Sequence, residues 1–296
     1  MASTGQVRDR EVTATRLLRS AARASFDPGT EVDWDAPFDP TMPYMPPERI
    51  SLYGTPAWDR LGERERIELS RHELASLTAI GVWLELNLMQ LFMRHIYDLD
   101  PRTAHARFAL TEVGDETRHS VMFGRLLGKL GTPAYGVPRA VHNLGRAFKA
   151  LGGGPSMWAI FLVGEELFDR FQRETMDDER VQPVVRTISR IHVVEEARHV
   201  RYAREEIVRS MDGVGRARQA LHRAVAAFGA TAAMEYMVDP EVYRSVGIPP
   251  HVGRRIALAN PHHQDTRLWM GEKIVPFLAE LGMVSGPLWR RAGLVR

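Results

Sequence analysis

The chain has 296 residues, of which 39 are basic and 37 acidic, and 44% are apolar, so it can bury a large core and is not disordered throughout. The net charge of +2 is a poor match to a nucleic-acid-binding protein, and we expect no nucleic-acid partner. Because the sequence contains no cysteine, it excludes disulfides, a thiol nucleophile and a protein-ligated iron–sulfur cluster. A bound metal must therefore use histidine and carboxylate ligands.

The N-terminal segment, residues 1–57, is rich in proline and arginine. Seven prolines lie between residues 27 and 57, which predicts a largely extended N-terminal arm over residues 1–57. Residues 1–26 carry five arginines but no apolar stretch of the kind found in secretory signals, so we expect a cytoplasmic protein. The most apolar run, residues 79–97, is interrupted by Glu85, Arg94 and other polar side chains, which argues against a membrane span.

From residue 58 onward the sequence is dominated by helix-forming residues with a period near 3.6. Gly131 with Pro133, and Asp239 with Pro240, are helix stop signals. No alternating β-branched run predicts a sheet. The sequence predicts an all-α bundle of long helices over residues 58–296, with helices at about 60–98, 101–131, 138–151, 156–178, 180–211, 214–237 and 265–282.

Two short strings in these helices resemble each other. Residues 115–119 read Asp-Glu-Thr-Arg-His and residues 195–199 read Glu-Glu-Ala-Arg-His. Each contains Glu-x-x-His, which on a helix places a carboxylate and an imidazole on one face, one turn apart. Taken alone the motif is weak, because helical salt bridges use the same spacing.

The spacing of these strings is the more informative observation. Each motif is preceded by another glutamate at the same distance upstream, and the whole set recurs in order at one constant shift along the chain. A repeated pair of helices explains this better than chance. The recurring residues are Glu85, Glu116 and His119 in the first half and Glu165, Glu196 and His199 in the second.

The lone glutamates lie in apolar surroundings, and a carboxylate there must be neutralised, paired or bound to a metal. Four carboxylates and two histidines from four helices suit a pair of divalent cations, with iron or manganese favoured over zinc or copper. A Glu from each of two helices and Glu-x-x-His from each of two others is the ligand plan of ferritin-like di-iron bundles. The fold class predicted is thus a ferritin-like bundle with a Pro-rich N-terminal extension.

Three further positions complete the predicted site. His192 lies on the same helical face as Glu196 and His199 and is placed where a seventh ligand would be, whereas the corresponding position in the first half is Glu112. The leading acids Asp115 and Glu195 are expected to accept the free N–H groups of the ligating histidines. Arg118 and Arg198 are expected to pair with these acids.

With His192, Glu196 and His199 in a His-x-x-x-Glu-x-x-His pattern, the chain resembles the di-iron N-oxygenase family typified by p-aminobenzoate N-oxygenase. The resemblance spans roughly residues 60–240 and implies two iron ions per chain, with manganese an option for one, and O2 as co-substrate. It implies oxidation of an aromatic amine to its hydroxylamine and nitro products. We expect an external electron donor, because the chain shows no flavin or nicotinamide motif, and a homodimer.

Alternatives remain open at this point. A di-iron acyl desaturase or hydroxylase would share the paired motifs, a ferritin-like iron-binding protein would share the ligands, and a metal-free scaffold would use the same residues as buried ion pairs. No substrate-binding arginine can be chosen among the many that the chain contains. Apolar residues one turn from ligands are candidates for a cavity wall, namely Met89, Phe123, Phe161 and Phe168.

Overall fold

A computed structural model describes residues 9–296, and within that range the chain contains helices and no strand. The prediction of an all-α helical bundle is confirmed. The four longest helices carry the predicted site: α4 (Glu63–Ile96), α5 (Ala104–Leu130), α7 (Gly154–Asp177) and α8 (Pro183–Met211). The others, in chain order, are α1 (Arg10–Ala21), α2 (Pro28–Glu31), α3 (Pro56–Arg60), α6 (Arg139–Leu151), α9 (Arg216–Tyr236), α10 (Pro250–Ala259), α11 (Pro261–Met270), α12 (Ile274–Glu280) and α13 (Pro287–Arg291). Two 3-10 helices span Pro47–Arg49 and Pro240–Val246.

The long helices pack as two pairs, in the order of the sequence repeat. α4 packs on α5 and α7 on α8, while α4 also contacts α7 and α5 contacts α8. Local signals set their ends: the Thr103 side chain accepts the N–H of Ala106 at the start of α5, and Gly131 ends that helix with a φ of 62°. At a rise of about 1.5 Å per residue, α4 is about 50 Å long.

α4 is also the one helix in the described range that is long and apolar enough to cross a membrane. Its most apolar window is 56% buried inside the protein, which fits the core helix of a soluble bundle. This helix carries Glu85, which is 3% exposed within the bundle.

The N-terminal segment differs from the extended arm that was expected, because residues Arg10–Ala21 form α1. Asp9 caps this helix by accepting the N–H groups of Glu11 and Val12, and Thr13, Ala14, Leu17 and Ala21 are buried at helical spacing against α5 and α8. Residues 1–8 lie outside the described residues. From residue 22 to residue 62 the chain is mostly non-helical and runs over the bundle.

The last predicted helix, 265–282, is in fact two helices, α11 and α12, separated at residues 271–273. Pro276 explains the break: inside a continuous helix its ring would clash with the preceding turn and remove a hydrogen bond, whereas near the start of α12 it is tolerated. The chain also forms α10, which the sequence pattern did not predict and which begins at Pro250.

Candidate metal centre

The four long helices bring all seven predicted ligand residues into one buried cluster. No side chain in the set is more than 4% exposed. α4 supplies Glu85, α5 supplies Glu116 and His119, α7 supplies Glu165, and α8 supplies His192, Glu196 and His199.

The potential donor atoms lie close enough to surround metal ions. Four groups of three have ligand atoms within 4.8 Å of one another, and each of the seven residues belongs to at least one group. Nδ1 of His199 lies 3.1 Å from Glu116 Oε1 and 3.0 Å from Glu196 Oε1. Nδ1 of His119 lies 3.1 Å from Glu116 Oε2 and 3.3 Å from Glu196 Oε1. Glu116 and Glu196 thus lie between the two imidazoles, at the centre of the cluster.

The far nitrogen of each of these histidines is held by an acid from the opposite helix. His119 Nε2–H donates to Glu195 Oε2 at 2.8 Å, and His199 Nε2–H donates to Asp115 Oδ2 at 3.2 Å. Asp115 and Glu195 therefore occupy the supporting positions expected of them, but crosswise between α5 and α8. Burial opposes the charged form of both rings, but the surrounding carboxylates raise the pKa of His119 and His199 well above the ordinary value. A bound metal would displace the Nδ1 proton, and each ring, held through its Nε2–H, would then present its Nδ1 lone pair to the cluster.

Two arginines balance the charge of these supporting acids. Arg118 contacts both Asp115 and Glu195, and Arg198 NH2 lies 3.1 Å from Asp115 Oδ2 and 3.7 Å from Glu195 Oε1. The pKa of Asp115 is lowered: burial opposes the charged form, but hydrogen bonds from His199 and the two arginines more than compensate. Two anions facing two guanidinium groups can therefore stay ionised beside the cluster.

The segment after α1 covers this outer layer. Arg198 NH1 donates to the carbonyl of Ala24 at 2.8 Å, Arg118 donates to Ser25 Oγ at 3.0 Å, and the N–H of Phe26 donates to Glu195 Oε1 at 3.1 Å. The N-terminal segment thus shields from solvent the groups that orient the two histidines. These contacts were not predicted from the sequence.

His192 is oriented by a residue that the sequence analysis missed. Its Nδ1–H donates to Gln172 Oε1 at 2.6 Å, which leaves the Nε2 lone pair 3.3 Å from Glu85 Oε1 and 3.6 Å from Glu196 Oε1, facing the cluster. Burial lowers the pKa of His192 to about 4, so the ring is neutral, as a metal ligand requires. Gln172 lies seven residues after Glu165, on the same face of α7, and that spacing was the available signal.

The chemistry of the donor set fits a pair of divalent cations. When all four buried carboxylates are ionised, their combined charge of −4 is the charge that two divalent cations would cancel. Oε2 of Glu85, Oε1 of Glu116 and Oε2 of Glu196 are buried without a hydrogen-bond partner. Burial, and then the neighbouring carboxylates, raise the pKa of Glu85 and Glu165 well above the ordinary range. Without a metal these groups hold protons, and two divalent cations would replace those protons and contact the unsatisfied oxygens.

Glu112, at the position equivalent to His192, behaves differently. It is completely buried and both of its carboxylate oxygens lack a hydrogen-bond partner, but it belongs to none of the groups with ligand-like spacing. Burial raises the pKa of Glu112 well above its ordinary value, so the group is held in its neutral form. The two halves of the repeat are therefore not equivalent at the seventh position.

A small cavity of about 40 Å³ adjoins the cluster on the side of Glu85, Glu165 and His192. Phe123 and Phe168 line it, as expected. Phe161 does not line it and packs edge-on against Phe92 in the core, and Met89 does not line it either. Most of the cavity wall is apolar, with Gln172, Ser189 and Thr78 as uncharged polar residues, so a reacting group there is screened from water.

Comparison with known proteins agrees with this geometry. Three curated proteins, two from Mycobacterium tuberculosis strains and one from Mycobacterium bovis, all described as uncharacterized, are each 29% identical to this chain over 204 residues. The alignments cover 66% of this chain and 59% of each relative, so the chain matches only part of their length. The family model described as P-aminobenzoate N-oxygenase AurF matches residues 7–282. The match confirms the family resemblance drawn from the sequence motifs, and the chain is a member of this family.

Proposed function

We propose that the protein is a di-iron oxygenase that activates O2 and N-oxygenates an aromatic amine. Family membership implies an oxygenase, and the buried histidine and carboxylate groups fit metal binding. The observation that carries the proposal is the convergence of seven buried donors, including the neutral His192 held by Gln172. Three histidines and four glutamates provide a nitrogen-enriched variant of the ferritin-like di-iron ligand set.

The ligands in this proposal are Glu85, Glu116, His119, Glu165, His192, Glu196 and His199. A bound iron pair supplies the electrons and the Lewis acidity that O2 activation needs. The chain contributes orientation: Glu195 and Asp115 fix two imidazoles through their Nε2–H groups, and Gln172 fixes the third through Nδ1–H. It also contributes a dry site, because no ligand is more than 4% exposed.

The stoichiometry of the overall reaction shows how many electrons the protein must obtain from another molecule. Converting a primary arylamine to its hydroxylamine consumes one O2, two electrons and two protons, and yields one water. Each turnover therefore needs two electrons, and repeated turnover needs an external one-electron donor such as a redox protein. The chain has no cysteine with which to hold an iron–sulfur relay of its own.

Metal analysis tests the site. After anaerobic loading with ferrous iron and removal of unbound metal, we expect about two iron ions per chain, and manganese competition shows whether one position accepts Mn²⁺. A content below about one metal per chain contradicts the proposal and favours the metal-free scaffold.

Turnover tests the reaction. The reduced, iron-loaded protein is exposed to O2 with a panel of arylamines, and hydroxylamine and nitro products are measured by mass spectrometry with ¹⁸O2. Incorporation of ¹⁸O on nitrogen supports the proposal. Oxygen on carbon, or a new C=C bond, would instead identify a hydroxylase or desaturase, and iron uptake without any oxidised product would identify an iron-binding protein.

A further inference from the structure

A second, larger cavity lies beside the metal centre. Its volume is about 220 Å³, and it is enclosed by α4, α7 and α9 with α6 as its outer wall. α6 turns Val141, Leu144 and Phe148 toward the cavity, while most of its other residues are exposed. It is attached to α4 by the Trp83 Nε1–H donating to His142 Nδ1 at 3.1 Å and by Arg94 donating to the carbonyls of Lys149 and Gly152.

This cavity and the small cavity at the ligands share one lining residue. Leu84, the residue before the ligand Glu85, lines both. On the other side of the junction is Gly164, the residue before the ligand Glu165, and a Cβ at Gly164 would lie 3.6 Å from Leu84 Cδ1. The absence of a side chain at residue 164 leaves space beside Leu84, and Leu84 is the side chain that a molecule reaching from the ligands into the larger cavity must pass.

The walls carry no group that would bind an anionic substrate. None of the described residues lining either cavity is arginine or lysine, and the larger cavity has Asn87 as its most polar lining residue. Arg49, Arg254 and Arg267 line a third cavity, which meets the ligand-side cavity at Leu77 and Phe171. Leu77 lies eight residues before Glu85 on α4, about 12 Å along the helix, which is farther than a carboxyl group on the ring of an aminobenzoate can reach. An ionised carboxylate in the apolar cavity would be strongly disfavoured.

We propose, resting on the proposed N-oxygenase function, that the substrate is an uncharged aromatic amine with an apolar tail. Its amine lies against Glu85, Glu165 and His192, and its tail passes Leu84 into the 220 Å³ cavity. The reaction is the one balanced above, in which the amine N–H becomes N–OH, the second oxygen atom leaves as water, and an external one-electron donor supplies the electrons. This chain therefore discriminates against p-aminobenzoate, the substrate for which its family model is named.

Matched amines test this specificity. The probes are 4-butylaniline, aniline, 4-aminobenzoate and 4-(4-aminophenyl)butanoate, which has the butyl chain of the first probe with a terminal carboxylate. Each buried methylene strengthens binding about fourfold, so we expect 4-butylaniline to bind about 10-fold to 100-fold more tightly than aniline. We expect both acids to bind more weakly than 4-butylaniline by at least about 10-fold. Binding is measured by anaerobic calorimetry on the iron-loaded protein, and kcat/KM is measured after O2 is added.

Variants with larger side chains in the larger cavity test whether this cavity holds the apolar tail of the substrate. Ala233→Phe and the milder Ala232→Leu place bulk in the larger cavity, and Ala224→Phe makes the same change at an exposed position of α9 outside it. We expect the ratio of 4-butylaniline to aniline affinity to fall toward 1 in the first variant and partly in the second, and to keep its wild-type value in the third. Circular dichroism and iron content establish that each variant is folded.

The outcomes separate this inference from the proposed function. Tail-dependent anaerobic binding without any N-oxidised product supports the cavity assignment and contradicts the N-oxygenase function. N-oxygenation of 4-aminobenzoate as efficient as that of 4-butylaniline supports the function and overturns the substrate class. If Ala233→Phe leaves the affinity ratio intact but changes the sedimentation behaviour, the cavity is an interface between copies of the chain, and the inference is wrong.

Discussion

Two clusters in this bundle have donor atoms close enough for a metal, yet their carboxylates are paired differently. The metal centre gathers four carboxylates and three imidazoles, and three of its carboxylate oxygens have no hydrogen-bond partner. The second cluster, formed by His95, His105 and Glu206, also has ligand atoms within 4.8 Å of one another. Its single carboxylate already accepts from Arg10 at 2.9 and 3.0 Å and from Arg209 at 2.6 Å.

The difference shows that spacing alone does not identify a metal site. Burial lowers the pKa of His105 to about 3, and the pKa of His95 is also lowered mainly by burial, so both imidazoles are neutral. Two neutral rings and an anion that is already paired give no net attraction for a cation. What distinguishes the metal centre is its four carboxylates, of which three oxygens have no hydrogen-bond partner and no arginine pairs with any.

The largest expected effect is the loss of bound iron when a central carboxylate of the metal centre is replaced. Glu196→Gln removes one of four negative charges and a central oxygen donor, and should reduce iron from about two ions per chain to below one. Iron is measured by mass spectrometry after anaerobic loading, with Glu206→Gln as the control that keeps the wild-type content. An equal loss of iron in both variants would contradict the assignment of the iron to the cluster that contains Glu196.

A smaller loss of iron is expected at the seventh ligand. His192→Ala removes a neutral donor and no charge, so the helical fold should be retained while iron content falls to between one and two ions per chain. The absorption spectrum after O2 is added to the reduced protein should also change. Wild-type iron content together with a wild-type spectrum would assign His192 to the core.

Glu73 is a buried carboxylate outside both clusters, and both of its oxygens accept hydrogen bonds. The N–H and hydroxyl of Ser51 donate to it, at 3.0 Å and 2.5 Å, yet burial raises its pKa to about 7. With this raised pKa, the folded state binds the proton of the Glu73 carboxyl group more tightly than the unfolded state does. The free energy of unfolding should therefore decrease by about 3 kcal/mol as pH rises from 4.5 to 7. Glu73→Gln should remove this dependence in urea titrations from pH 5 to 8. Parallel curves for the two proteins would show that Glu73 titrates normally.

The smallest expected effect is on stability at the second cluster. Glu206→Gln removes the charge that Arg10 faces, whereas Arg209 keeps its ion pair with Glu205 at 2.9 Å. The free energy of unfolding should fall by about 1–2 kcal/mol, since Arg10 is 41% exposed and partly screened. Urea titration measures the change. A variant that is as stable as the wild type would show that the ion pair with Arg10 contributes little. A wild type that gains stability with added Zn²⁺ would indicate that the cluster is a cation site after all.

The sequence predicted the parts of the fold and site that repeat or follow a period. Helical periodicity placed the four long helices, and the constant shift between the two halves selected six ligand residues that the structure brings together. Their assignment as ligands stays a prediction until metal is measured. The seventh residue, His192, was predicted from its position on the same helical face as Glu196 and His199.

What could not be predicted depends on contacts between distant segments. The spacing of Gln172 from Glu165 places it on the ligand face of α7, but one glutamine on a helical face is common, so this spacing alone does not single it out as the partner of His192. α1 was obscured by the prolines that follow it, although Asp9 and the spacing of its apolar residues fit a short capped helix. The larger cavity arises from the way α6 lies over three other helices, which the sequence of α6 alone does not specify.

The crossed support of the two histidines has a consequence for assembly. His119 on α5 is oriented by Glu195 on α8, and His199 on α8 by Asp115 on α5. Neither half of the repeat can therefore orient its own imidazole, however completely it folds. A chain cut in the loop between α6 and α7 should acquire iron only after both fragments associate, which makes iron uptake a direct measure of the docking of one half on the other.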